Sequence, residues 1–476
     1  MNTNTFFRIL FAVFLIFFAV ASCDIQDPAV EPEPDSEPVV KDSTLVWIEK
    51  TMRDYYLWED EIPKAISLDY SLGPEEFFNS LLSRKDGKTT LGGHYFYSSI
   101  NPARGKTKSY MGDDDSYGFE FMYYNITDGS ETLYYALHIL YVLPGSPADE
   151  KGVRRGDWVL HINGKPVPGD AATLIALVFD ASQISLGLSG GLPKVINIER
   201  EAALTKRPVV DDPVLVDTTY NIEGKAISYM VFNHFTAGPD GDGERFHNSM
   251  RRAFAGFGAK NPDCFILDLR YNPGGLVRTA QLLSTMIAPA SAMGDIFLRY
   301  SYNNKLSRYN DSIMLDPALM KGAVQGANLN MKRLYVITSS WSASASEAII
   351  NCLRPYMEVI VIGGKTEGKN VASSTFTDDK YDWELHPIIS YIANKDGFND
   401  YASGFTPDYP CVETQQDTLR ALGDTAEFIL NQTLGFILRG SPIQSKAPLM
   451  RSSGALHLVP GYASIERRRS VMNIER

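Results

Sequence analysis

The stretch Leu334–Ser374, LYVITSSWSASASEAIINCLRPYMEVIVIGGKTEGKNVASS, constrains the fold more than any other part of the chain. LYVIT is a short, apolar, β-rich run, and SSWSASASE is a cluster of small and hydroxyl residues. AIINCL continues as an apolar helical face that Pro355 stops. MEVIVIGG is a second buried strand leading into the glycine-rich loop GGKTEGKN. The unit is βαβ. Its strands run parallel, so whatever follows each strand emerges at the same sheet edge, where open α/β sheets build their sites. Ser344, at a helix N-terminus, is thereby placed beside Lys369 of the next loop.

A serine hydroxyl is a poor nucleophile at neutral pH and needs an adjacent base. A lysine can be that base only when neutral, and burial favours the neutral form. Gly363, Gly364 and Gly368 permit close backbone approach, whereas Glu367 would favour the charged lysine if it pointed inward. An acyl-transfer site also needs donors for an oxyanion. The amide of Ala345 lies at the helix N-terminus, where amides are free. Asn272-Pro273-Gly274-Gly275 follows a second buried strand, CFILDLR, and precedes the helix LVRTAQLLSTMI, so it arrives at the same edge. Competing readings exist for each group. Ser342 and Ser346 suit helix caps, Ser344 itself could be a small turn residue, and Lys365 is a rival base. The 7 histidines are scattered, and only His234 lies in a segment expected near the site. Asp268 and Arg270 suit a structural pair at a strand end, and Cys264 and Cys352 suit buried hydrophobes.

The 476 residues suggest about two to four domains. A net charge of -12 leaves no basic excess for phosphates, so no nucleic-acid partner is expected. The 4 cysteines contain no CxxC pair, and no metal or cofactor is expected. Residues 1–22 read as a signal peptide, with Arg8 before an apolar run, Ile9 to Ala21. Val20-Ala21-Ser22-Cys23 resembles the bacterial lipobox, which implies lipidation at Cys23 and a membrane contact through that anchor. An ordinary secretory signal is the alternative. Residues 23–43 are rich in Pro, Glu and Asp and suit an extended tether. The implied location is a cell-envelope lipoprotein, periplasmic or anchored to an outer membrane, with a Gram-negative envelope expected.

Residues 44–110 read as a small helical region without chemistry of its own. Within 111–203, Asp113, Asp114 and Asp115 lack the alternation of a calcium loop and suit a solvated turn. GSPADEKGVRRGDWVLHINGKPV resembles a PDZ domain of the bacterial protease type, with a helix capped near Ser146 and ended at Gly152. The resemblance implies peptide binding by strand addition, with the terminal carboxylate held at Tyr117, Gly118, Phe119 and Glu120. Glu120 stands where that loop usually has a second glycine. Residues 204–440 alternate strands with helices, including a last helix from about Thr418 to Leu438, and read as the main α/β domain. Residues 441–476 lose periodicity and read as a poorly ordered tail.

DLRYNPGGL, SASASE and GKTEGK, in this order and after a PDZ-like module, resemble the tail-specific (C-terminal processing) serine peptidases. The resemblance implies a multidomain α/β protein with a crotonase-like peptidase core, a PDZ β-module inserted in or preceding it, and a small N-terminal helical domain. It implies Ser344 as nucleophile and Lys369, 25 residues on, as base. The oxyanion donors carried over are Gly275 and Ala345, with Gly274 as the fallback. The implied partners are proteins or peptides with exposed C-termini. Many members place a polar residue eleven after the serine or four after the lysine. Here those positions hold Pro355, which cannot assist, and Ser373. A catalytically weak or inactive peptide-binding lipoprotein is the alternative function.

Overall fold

The computed structural model describes residues 42–90, 93–103, 115–128, 131–192, 196–239, 242–413, 416, 418–441 and 456–468. The signal segment, Cys23 and nearly all of the tether fall outside them, as do Asp113 and Asp114.

A six-stranded sheet carries the main domain. Its order is Val214–Ile222, Lys225–Phe232, Cys264–Asp268, Arg333–Thr338, Glu358–Gly363 and Tyr409–Pro410. The first two strands form an antiparallel hairpin, and every later pairing is parallel. Parallel strands are buried on both faces, so their residues alternate between two cores. Phe265, Leu267, Leu334 and Val336 face helices Arg245–Lys260, Val277–Ile287 and Ala345–Leu353. Ile266, Tyr335 and Ile337 face the opposite way, onto Ile429, Leu430 and Leu434 of helix Phe428–Arg439. This last helix is shorter than its sequence pattern suggests. Residues 418–427 stay non-helical because Glu427 caps the helix, its carboxylate accepting the amide of Leu430 while also pairing with Arg270.

The PDZ-like module is an antiparallel sheet ordered Arg200–Thr205, Gln183–Ser189, Trp158–Ile162, Thr132–Val142, Phe119–Thr127 and His457–Ala463, with Lys165–Pro166 on Trp158–Ile162. Its short helix Pro147–Glu150 begins at Ser146, whose hydroxyl accepts the Asp149 amide at 3.2 Å. The last strand comes from the tail. Residues 441–476 lack periodicity and are expected to be poorly ordered, yet His457–Ala463 completes this sheet and Ser464–Arg468 continues as a 3-10 turn. Pro460 and Gly461 dilute the strand pattern, so the pairing partner rather than local propensity fixes this segment.

The N-terminal region has helices Ser43–Tyr55 and Pro74–Ser80, then strands Lys88–Thr90, Gly93–Tyr95 and Ser99–Pro102. Ile48, Met52, Phe77 and Phe78 pack onto Val371, Leu385 and Ile388 of the main domain. Ile388 donates its amide to Ser98 Oγ and accepts from Leu57, each at 2.8 Å. The region is thus docked on the segment that follows Lys369.

Candidate active site

Three neighbouring strands of the main sheet end in the loops that build the site. Cys264–Asp268 leads to Asn272–Gly275, Arg333–Thr338 to the serine cluster, and Glu358–Gly363 to the loop of Lys369. The outer serines of the cluster are tethers. Ser342 Oγ donates to Leu269 O at 2.7 Å, and Ser346 Oγ donates to Asn272 O at 2.9 Å. The middle serine differs. Ser344 is fully buried, its hydroxyl has no hydrogen-bond partner among the described residues, and its backbone is held at φ 62°, ψ −113°. A non-glycine residue in such a conformation costs about 1–3 kcal/mol and persists only where its surroundings impose it.

Glu347 is what imposes it. Its buried carboxylate accepts the Ser344 amide at 2.9 Å and the Lys369 amide at 2.8 Å through Oε2. Through Oε1 it accepts the Gly368 amide and the Thr366 hydroxyl, each at 2.6 Å. One side chain therefore joins the Ser344 turn to the Lys369 loop. Burial pushes its carboxyl up to about 7 against these four hydrogen bonds. Sequence reading did not single out Glu347, although a serine followed three residues later by glutamate is the pattern of a helix capping box.

Gly274 and Gly275 adopt φ 107° and 139°. A Cβ on Gly274 would lie 2.7 Å from Ser344 Cβ, and one on Gly275 would lie 2.3 Å from Phe235 O. The two glycines differ in what their amides do. Gly274 donates to Asn272 Oδ1 at 2.9 Å, which occupies the fallback donor. The amides of Gly275 and Ala345 have no acceptor among the described residues, since the bridge at Gly275 runs through Gly274 O and Leu276 N.

Lys369 is buried, whereas the rival Lys365 is exposed. Burial lowers the Lys369 ammonium to about 8, against the pull of Asp86, Glu347 and Glu367. Its Nζ lies 5.2 Å from the centre of the Tyr97 ring. It makes no hydrogen bond to Ser344, whose hydroxyl is unpartnered among the described residues. Burial and the charge of Lys369 together push His386 down to about 4. Ser373, four residues on, is buried in strand Val371–Ser373, and Pro355 lies beyond the helix end. His234 is engaged elsewhere, with Asp211 O at 3.0 Å and Thr236 Oγ1 at 2.8 Å.

The N-terminal region, read from sequence as chemically silent, supplies surroundings of the lysine. Asp86 accepts the amides of Tyr97 and Ser98 at 2.9 and 3.1 Å and the Tyr56 hydroxyl at 3.0 Å. Lys88 Nζ donates to Glu367 O, and Tyr95 OH to the Glu367 carboxylate. Nothing local marks Lys88 and Tyr95, because their partner Glu367 lies more than 270 positions away.

Beneath the Gly275 loop runs a buried ionic network. Arg270 contacts Asp268 at 2.7 Å and both Glu413 and Glu427 at 2.8 Å, so Asp268 and Arg270 are a structural pair. Arg155 of the PDZ-like module joins it, at 2.6 Å from Glu413 and 2.6 Å from Leu140 O. Burial opposes ionisation of Glu413, but Arg155 and Arg270 outweigh it and hold the carboxyl at about 2.

The loop Tyr117–Glu120 lies at the start of strand Phe119–Thr127. Tyr117 OH donates to Ala181 O at 2.7 Å, and the Gly118 amide donates to Ser116 Oγ at 3.0 Å. Phe119 stacks with Tyr117, and Glu120 is buried and accepts the Ser464 hydroxyl.

Three family models match the chain. They are Peptidase family S41 over residues 226–411, the Peptidase S41 N-terminal domain over 46–99 and a PDZ domain over 138–182. A carboxyl-terminal-processing protease of Synechocystis is 25% identical over 244 residues, 50% of this chain and 51% of that protein. A CtpA-like serine protease of Staphylococcus aureus is 25% identical over 303 residues, 60% of this chain and 52% of that protein. The chain thus spans about half the length of these relatives. A crystal structure of an S41 protease from Bacteroides fragilis is 31% identical, with TM-score 0.71, covering 86% of this chain and 99% of that one.

Proposed function

The chain belongs to peptidase family S41, and we propose that it is an envelope-anchored serine endopeptidase cleaving proteins or peptides recognised through their C-terminal region. Ser344 Oγ attacks the scissile carbonyl carbon while its proton passes to the neutral amine of Lys369. The oxyanion accepts from the amides of Gly275 and Ala345. Lys369 then returns the proton to the leaving amine, leaving an ester on Ser344. Water, deprotonated by the same lysine, hydrolyses that ester and regenerates the serine. The PDZ-like module presents the substrate as an added strand. Cys23 carries the lipid that holds the protein at a membrane.

The observation that carries this reading is the buried Ser344 hydroxyl, unpartnered and strained, beside two unclaimed amides. Its test compares wild type with Ser344→Ala and Lys369→Ala on an unstructured protein with a free apolar C-terminus. Both substitutions are expected to abolish cleavage, and cleavage surviving either one contradicts the pair. Wild type that binds the substrate without cutting it favours the second reading, a peptide-binding lipoprotein of little activity. What supports that reading is the missing hydrogen bond between Ser344 and Lys369. The anchor is tested by metabolic labelling with an alkynyl fatty acid. Label is expected on wild type and absent from Cys23→Ser, and equal labelling of both contradicts it.

A further inference from the structure

The edge of the PDZ-like sheet beside Tyr117–Glu120 is occupied. His457–Ala463 pairs antiparallel with Phe119–Thr127, with His457 opposite Thr127, Val459 opposite Asn125 and Ala463 opposite Met122. Antiparallel pairing brings the C-terminal end of the added strand next to the loop, the direction in which a strand-adding peptide ligand lies. The segment lies where such a ligand would.

The side chains agree with that placement. Tyr462 sits edge-on to Phe121 at 6.4 Å and packs into the module's own core with Leu174 and Val178. On the other side, Ala463 and Ile465 are buried in a cluster with Tyr271 and Trp341. Tyr271 precedes Asn272 of the Gly275 loop, and Trp341 lies within the serine cluster, next to Ser342. The segment therefore touches both the module and the chain leading into the active-site loops. Ser464 ends it. Its hydroxyl accepts the Phe121 amide at 2.8 Å and donates to the Glu120 carboxylate. A second carboxylate at that point would face Glu120 with like charge in a buried site, whereas a hydroxyl satisfies both groups.

We infer that residues 456–468 are a resident ligand of the PDZ-like module, which substrates displace with an extended segment placing a hydroxyl against Glu120. This rests on the reading that the module presents substrates, and it narrows the ligand to a strand bearing an internal Ser or Thr. The segment is suited to displacement. Its register breaks between Pro460 and Ala463, and proline and glycine weaken a strand. A tethered competitor acts at an effective concentration of about millimolar, so it raises KM and leaves kcat unchanged.

The test uses the full chain in two opposite forms. Ala463→Glu puts a charge into a fully buried position and ejects the segment. Asn125→Cys with Val459→Cys places two thiols at a cross-strand pair, and oxidation locks the segment in place. Binding is read first, in a Ser344→Ala background, by fluorescence anisotropy of a labelled peptide of the 456–468 sequence. This arm is independent of peptidase activity. Ejection is expected to tighten peptide binding at least about tenfold, and oxidation of the pair to abolish it until reductant is added. With Ser344 present, ejection is expected to lower KM about tenfold at constant kcat, and the lock to raise it. If Ala463→Glu fails to fold, Ser464→Ala replaces it and the lock stands alone. A folded ejection variant that binds no more peptide than its parent overturns the inference, as does an oxidised lock with the parent's KM. Peptide binding without any cleavage sustains the inference and sinks only the peptidase reading.

Discussion

One oxygen of Glu347, Oε2, accepts the backbone amide of Ser344 at 2.9 Å and that of Lys369 at 2.8 Å. The proposed nucleophile and its proposed base are thus tied at the backbone to a shared carboxylate, though their side chains are not bonded to each other. Glu347→Ala leaves four buried donors without that acceptor. It is expected to cost on the order of 3 kcal/mol of stability and at least about 100-fold in kcat/KM. Glu347→Gln, which turns an NH2 group toward amide donors, should lose activity while keeping more of the stability. Urea unfolding and steady-state kinetics on the two variants check both.

Lys369 sets the pH dependence. With its ammonium at about 8, roughly one tenth of the lysine is neutral at pH 7. The acid limb of kcat/KM is expected to rise about tenfold per pH unit below 8 and level off above it. Stability follows the same shift. A lysine whose folded value lies below its ordinary 10.5 adds stability as pH rises from about 8 toward 10.5, and burdens the fold below that range. Lys369→Met is therefore expected to be inactive yet to melt a few degrees higher at pH 7, with the difference shrinking by pH 10.5. Thermal scans at both pH values check the sign.

Gly274→Ala and Gly275→Ala probe two different close approaches of the glycine loop. Gly274 approaches Ser344 Cβ, and its amide is already taken by Asn272. Its substitution should displace the serine and lower stability as well as activity. Gly275 keeps an unclaimed amide in a backbone conformation that resists a Cβ. Alanine keeps the N–H, but its Cβ would meet Phe235 O at 2.3 Å, so the substitution is expected to move that amide out of line, lowering kcat by about 100-fold or more together with stability. Kinetics with circular dichroism on each variant check both.

Arg155→Met removes the module's cation from the buried network and leaves Glu413 with Arg270 and the Tyr271 hydroxyl. Breaking a buried pair costs about 3–5 kcal/mol because it strands a charge. Adding Glu413→Gln is expected to restore part of the loss. Denaturant titration of the single and double variants reads the coupling, and additive losses would contradict it.

Sequence alone made the loops of the site legible because their signals are local. Strand, turn and helix patterns around Asn272–Gly275, Ser344 and Lys369 place all three at one sheet edge, and the sheet order confirms that they are neighbours. What sequence concealed is non-local. Asp86 and Tyr97 approach Lys369 from the far end of the chain, and no periodicity encodes that approach. The strand His457–Ala463 contains Pro460 and Gly461, and it is a strand only because Phe119–Thr127 offers an edge. The last helix is expected to begin at about Thr418, but Glu427 is claimed by Arg270 and caps the helix instead of extending it.

We propose that Ser344 is a nucleophile activated by Lys369. This is tested most directly by the rate at which a fluorophosphonate labels the protein as a function of pH, with the modified peptide identified by mass spectrometry. The label is expected on Ser344 alone, at a rate that rises through about pH 8 in wild type and falls to background in Lys369→Ala. Labelling of another residue, or an unchanged rate on Ser344 in Lys369→Ala, would contradict it.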